Sequence, residues 1–459
     1  MRIRKYDFNY SRRHFMQQTA RGILGAGVFG SVWDAVAQNG TFEKSYPDEL
    51  LSIEMYTKGT VKPGDIIDAD NVDLIQDLID PIRFSQIKQM GRKLELVESV
   101  KDMTRLSPVD YIEATLRNKG QAVLDAVGNV YTREGKPWIG GNPFPEPSNG
   151  AECFIPVTLS WGRHDVSFYV SKDYEIDAQG EQSHYYEVVW CEYAAVGRVS
   201  IDPKPYLPGS ENKLRYNSVI FTYPNDYKGT TYLSTWEYDQ TQFPSVKLFL
   251  PGIKRVRRFP ANKRFEPLIP GSNLFLSDTW TAGDPYLTWG NYKVIGRGPY
   301  LAGLSQNWHS EHENWECPTH GGPKGLTFWD TKVEMIPETI VVEAEPTGYP
   351  RAPVSRKRVW FDARTLLPVG MVTYDRAGQP FRSFDGCYSM YENGDQRVAD
   401  YGTQPYWSWC NVHAYDMQTN RMTRFQQVKS IRGGYSMRVN DESLFRQYCT
   451  EAAIRRLGV

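Results

Sequence analysis

The sequence predicts a mainly β (α+β) protein organised around one large antiparallel sheet. Three observations lead there. Aromatic residues make up 14% of the 459 residues, and most are Tyr (29) or Phe (20), which suit pleated, half-buried surfaces. Pro (29) and Gly (38) are frequent enough to favour a turn-rich chain over a helical bundle. From residue 151 onward, short segments of period-two alternation recur with turn signals roughly every 8–12 residues, the rhythm of antiparallel meanders. A sheet of that many strands must curl, split or close. The net charge of −1 provides no global field to draw nucleic acid.

Residues 1–37 read as a twin-arginine signal peptide. Ser11-Arg12-Arg13-His14-Phe15-Met16-Gln17 resembles the export motif, a mildly apolar run follows at 22–33, and Ala35-Val36-Ala37 is a small-x-small cleavage site. No Cys follows that site, so the expected product is a soluble periplasmic protein beginning near Gln38. Residues 38–459 then read as a single large domain, with 38–150 helical or irregular and 151–459 forming the sheet and a C-terminal helix. Export would place Cys153, Cys191, Cys317, Cys387, Cys410 and Cys449 in an oxidising compartment. Sequence does not choose their pairing; one or two disulfides are expected, Cys387 with Cys410 being one candidate.

In the first part, 70–78 and 83–90 read as short helices. A longer one is expected from Ser107 to Val127, with Ser107 as cap, Pro108 in the first turn and an apolar stripe of Val109, Ile112, Leu116, Val123 and Val127. The Pro/Gly/Asn-rich stretch 135–150 reads as a surface connection or lid. Strand candidates follow at 157–159, 166–170, 185–193, 196–201, 217–222 and 231–238. After a hairpin at 246–260, they continue at 292–296, 333–336, 340–344, 357–362, 368–375, 381–391 and 423–428. Asp375-Arg-Ala-Gly378 and Asn393-Gly394 are hairpin turns, and a short helix closes the chain within 441–457. Trp360-Phe361 and Trp407-Ser-Trp409-Cys410 suit a core or the lining of a cavity.

Two polar clusters are candidate sites. The hairpin strand Lys254-Arg255-Val256-Arg257-Arg258 offers guanidinium groups that bind phosphate or carboxylate. Alternation puts Arg255 and Arg257 on one face and Lys254, Val256 and Arg258 on the other; Val256 is expected to face inward and Arg255 and Arg257 outward. In the second cluster, His309, His312, Cys317 and His320 fall within twelve residues, together with Glu311, Glu313 and Glu316. Imidazole and thiolate suit zinc or copper, so a metal-dependent periplasmic enzyme is the alternative to a binding protein; an exposed loop is the plainer reading. No Gly-x-Ser-x-Gly elbow, Walker loop or dinucleotide fingerprint is present, and His164 beside Asp165 cannot form a dyad on a strand.

The stretch Leu250-Pro-Gly-Ile-Lys-Arg-Val-Arg-Arg258, followed by Phe259-Pro260, resembles the central signature of unknown-function domain 1329, an outer-membrane-lipoprotein-sorting-like family. Ser355-Arg-Lys-Arg-Val-Trp-Phe-Asp362, Tyr374-Asp375-Arg-Ala-Gly378 and Ala453-Ile-Arg-Arg-Leu-Gly458 agree. The resemblance covers the chain from about residue 50. It implies a strongly curved antiparallel sheet, an unclosed barrel, with helices over its concave side and a cavity for acyl chains or another hydrophobic molecule between them. It also implies a non-enzymatic carrier working with a resistance-nodulation-division transporter or an outer-membrane protein, and suggests that the hairpin arginines pair across the sheet.

Overall fold

The computed structural model describes residues 32–457 apart from 44, 47, 261–263, 268, 279–283, 310 and 392–404. The paired arginines of the predicted leader and the predicted Asn393-Gly394 turn lie outside the described residues. One 16-stranded sheet dominates. Its long strands are β1 (Val166–Ile176), β2 (Gln182–Ala194), β3 (Lys213–Tyr223), β4 (Thr231–Glu237), β5 (Ser245–Leu250) and β6 (Arg255–Phe259), followed by β7 (Gly290–Ala302) and β8 (Lys332–Glu345). They continue as β9 (Val354–Asp362), β10 (Pro368–Asp375), β11 (Pro380–Met390), β12 (Trp407–Asp416) and β13 (Arg421–Gln427).

Two antiparallel meanders make up the sheet. The later one, β8 to β13, lies beside the earlier one, β1 to β6, and the two join where β13 pairs with β1. That seam runs from Met422 opposite Ile176 to Gln427 opposite Ser171. The path of strands is open: β6 ends it on one side and Ile66–Ile67 on the other. Leu94–Leu96 pairs parallel to β8, the one parallel join among the described strands.

Alternation sends the two faces to different cores. On β2, Val188 and Trp190 enter the main core, whereas Val189 and Cys191 enter a second core on the opposite face. Helices α1 (Val32–Asn39), α2 (Pro81–Met90), α3 (Val109–Asn118) and α4 (Gly150–Leu159) contribute to the main core. The second face is covered by α5 (Leu444–Tyr448) and α6 (Glu451–Leu457). In α2, the Asp80 carboxylate caps by accepting from the Ile82 and Arg83 N–H groups at 3.0 and 2.9 Å, and Gly91 stops the helix at φ 70°. Trp33 and Val36 of α1, within the predicted leader, are buried, and the Trp33 indole N–H donates to the Pro145 carbonyl at 3.1 Å.

Several expectations need correction. Helix α3 ends at Asn118, whose side chain bonds the Gly140 carbonyl at 2.9 Å; Gly120 then turns the chain at φ 77°, and Val123, Leu124 and Val127 are exposed. Residues 157–159 belong to α4, not to a strand. Residues 196–201 form no strand, because the Asp165 carboxylate gathers the Val199, Ser200 and Ile201 N–H groups at 2.7–2.8 Å and curls them into a loop. The stretches 333–336 and 340–344 are one strand, β8. Strand β12 is absent from the sequence reading, and the C-terminal helix is two helices. The Pro/Gly-rich 135–150 stretch is a connection, but one packed into the core through Trp138 and Asn142.

Candidate functional site

An apolar cavity sits on the main-core face and straddles the seam. Tyr169 and Asp173 of β1, Val188 and Trp190 of β2, and Val219 and Phe221 of β3 line one side. Phe384 and Tyr388 of β11, Trp409 and Val412 of β12 and Phe425 of β13 line the other, with Trp161 and Leu274 arriving from loops. These are six neighbouring strands, which in a flat sheet at ~4.8 Å spacing would spread over roughly 24 Å. Their convergence on one cavity shows how strongly the sheet curves here. The cavity volume is about 40 Å3, room for a few waters.

Its walls are aromatic and interlocked. Tyr169 meets Trp409 edge-on at 5.6 Å and Trp161 at 5.9 Å, and Trp409 stacks on Phe425 at 5.2 Å. Gly386 of β11 leaves a notch: a side chain added there would meet Val412 at 3.8 Å, ordinary contact. Two carboxyl groups lie on the cavity face of β1. Glu175 accepts from the Thr423 hydroxyl across the seam at 2.6 Å, and burial raises its pKa to about 7. Asp173 is 3% exposed; burial, and then the charge of Glu175, push it well above the usual carboxylate range. Beyond Gly386, Asp385 points to the opposite side of β11 and holds Arg83 at 2.5 Å and Arg92 at 2.7 Å. Burial opposes its ionisation, but the two guanidinium charges outweigh it and bring the pKa down to about 2.

The basic hairpin strand is not part of this cavity. β6 is the sheet's edge, reached from β5 through a single 3-10 turn at Pro251–Ile253. Lys254, Arg255, Arg257 and Arg258 are exposed. Arg255, Arg257 and Arg258 have no ion-pair partner among the described residues, so they do not pair across the sheet as expected. That pairing belongs to the second motif, where Arg356 and Arg358 bind Glu343 of β8 at 3.1 and 2.7 Å. Val256 turns inward, but towards Leu233, Phe249 and Ile454 of α6, on the face opposite the cavity. The register places Arg257 opposite Leu248 and Leu248 opposite Tyr232, so the arginines share the cavity's face of the sheet. The expected orientation is therefore reversed.

The four residues of the metal cluster are not assembled. His309 Nε2 lies 3.3 Å from Cys317 Sγ, and the Cys317 thiol donates to the Asp330 carbonyl at 3.1 Å. His312 Nδ1 accepts from the Asn314 and Glu316 N–H groups at 3.2 and 3.3 Å, closing a local turn. His320 Nε2 accepts from the Lys93 N–H at 2.8 Å. Among the described residues, no three His, Cys, Asp or Glu side chains are grouped to hold a metal ion. Nor is the stretch a loose solvent loop: Trp308 and Trp315 pack against Tyr391 at 6.1 and 5.0 Å. His164 and Asp165 serve separate structural bonds, His164 Nε2 lying 2.8 Å from the Trp407 carbonyl.

Sequence reading placed Trp409 as core or cavity lining, and it lines the cavity. It missed Asp173, because the strand was ended at residue 170. Continued alternation from Tyr169 through Ser171 would have put Asp173 and Glu175 on the inward face.

Solved structures that resemble the chain include three from different bacteria. A putative outer membrane lipoprotein-sorting protein domain from Vibrio parahaemolyticus is 15% identical, covers 67% of this chain and 98% of its own, and has a TM-score of 0.42. A DUF1329 family protein from Desulfovibrio piger is 14% identical over 66% of this chain and 97% of its own, with a TM-score of 0.42. A LolA superfamily protein from Nitrosomonas europaea is 12% identical over 65% and 98%, with a TM-score of 0.34. No curated protein matches the sequence. The model of a family described as protein of unknown function (DUF1329) matches residues 66–455, and the chain belongs to that family.

Proposed function

We propose that the protein is a non-enzymatic periplasmic carrier for a lipid or other hydrophobic molecule, held in the seam cavity. The cavity carries the reading: an almost wholly apolar, aromatic-walled space built by six strands. Burial of ligand surface there is worth ~25 cal/mol per Å2. At about 40 Å3 the space is smaller than an acyl chain, so a ligand enters by parting the aromatic walls. Arg255 and Arg257 of β6, on the cavity's face at the sheet's edge, are placed to meet an anionic head group or membrane surface. Partners of this reading are a resistance-nodulation-division transporter or an outer-membrane protein. No described helix is long and apolar enough to cross a membrane.

Native mass spectrometry of protein purified gently from the periplasm tests the reading. The wild type is expected to retain a hydrophobic molecule, and Gly386→Leu, which fills the notch, to lose it. A wild type that is empty under these conditions defeats the carrier reading. The export route has its own test. Lys in place of both Arg12 and Arg13 is expected to leave the precursor in the cytoplasm; normal export of that variant removes the twin-arginine assignment.

A further inference from the structure

One residue of the cavity lining carries a buried polar atom without a partner. Asp173 sits in β1 between Tyr186 of β2 and Phe425 of β13, its direct register partners, so aromatic rings flank it on both sides. It is 3% exposed and lines the cavity, and its Oδ1 has no hydrogen-bond partner. Trp409 lines the same cavity, and its indole N–H is likewise buried without a partner. Buried polar atoms are ordinarily bonded, and leaving one unmet is costly. The other carboxyl on this face, Glu175, is engaged by Thr423 across the seam. Glu175 Oε1 is also buried without a partner, but Glu175 is held through its other oxygen and does not line the cavity, whereas Asp173 does.

We propose that Asp173, with the Trp409 indole N–H, is the polar anchor of the cavity and selects a neutral, mainly hydrocarbon ligand carrying a single hydroxyl group. The inference rests on the carrier reading and specifies its ligand. A hydroxyl both donates and accepts, so it can give its proton to Asp173 Oδ1 and accept from Trp409 Nε1–H. A pure hydrocarbon leaves both atoms unmet. A carboxylate ligand would bring a negative charge into an apolar site whose lining already includes the Asp173 carboxyl group. Burial, and then the charge of Glu175, raise the Asp173 pKa well above the usual carboxylate range, which favours the protonated form that can donate as well as accept.

The test uses three slender probes of one chain length: decan-1-ol, 1-fluorodecane and decanoate. Binding to the full mature chain is read from its tryptophan fluorescence, since Trp161, Trp190 and Trp409 line the cavity. Decan-1-ol is expected to bind about tenfold tighter than 1-fluorodecane, the scale of one well-placed buried hydrogen bond, with decanoate the weakest. Asp173→Leu should remove most of the alcohol's advantage while keeping 1-fluorodecane binding. Equal affinity for alcohol and fluoride in the wild type, decanoate binding as tightly as the alcohol, or an undiminished preference in Asp173→Leu would each overturn the anchor while leaving the carrier reading standing. Failure of all three probes overturns the carrier reading itself. If Asp173→Leu does not fold, Asp173→Asn replaces the carboxyl with an amide of the same size, and the wild-type affinity ratio decides independently.

Discussion

Glu334 of β8 is 1% exposed, its carboxylate accepting from the Val100 N–H, and burial raises its pKa to about 7. The folded value lies above the 4.5 of a freely solvated glutamate. Its contribution to stability is therefore complete below about pH 4.5 and is lost as pH rises through about 7. Glu334→Gln keeps an acceptor for Val100 and removes the titration. The melting temperature of the variant relative to wild type should climb between pH 5 and pH 8, corresponding to at most about 3 kcal/mol; a constant difference would refute it. Such residues were not legible in the sequence, and neither was Asp173. Lys254–Arg258 and His309–His320 drew attention because their residue types cluster along the chain. The cavity instead collects single residues from strands distant in sequence.

At the scale of elements, alternation found most strands, and it failed where both faces are buried. All ten residues of β12 are buried, so polar-apolar alternation has nothing to report there. It also failed where a side chain overrode propensity, as Asp165 does at 199–201. The C-terminal helices show another element-level device. Ile454 of α6 packs on Leu233 and Phe249, and Lys247 of β5 pairs with Glu451 of α6, so this helix braces the edge hairpin from behind. Just before α6, Cys449 brings its Sγ to 3.6 Å from Cys191 Sγ of β2. The contact is this pair, in place of the Cys387–Cys410 pair that sequence suggested. Refolding in oxidised glutathione should therefore link Cys191 to Cys449. The two thiols would lose two protons and two electrons, and glutathione disulfide would be reduced to two thiols. Peptide mapping should recover the cross-linked pair, with melting raised by about 2–4 kcal/mol equivalent. Recovery of both cysteines in alkylated form would refute it.

For the whole molecule, the family and the open, curved antiparallel sheet were legible, but the order of the strands was not. Local patterns show each meander separately and say nothing about which strands meet between them. The join is β13 with β1, and the Thr423–Glu175 bond across it spans 248 positions of chain. Closing so long a loop is slow and entropically costly. In refolding experiments, protection of the Tyr169–Trp409 wall should develop after protection within either meander, as read by pulsed hydrogen exchange; seam amides protected as early as the β2–β3 amides would contradict this.

Under the proposed carrier reading, the same seam would give ligand loading the character of a checkpoint. A chain interrupted before Arg421 can build the earlier meander and most of the later one, yet it has no cavity, because Phe425 and the β13–β1 join do not exist. In the proposed carrier role, an occupied cavity would thus report that synthesis has passed β13 and that the seam has closed.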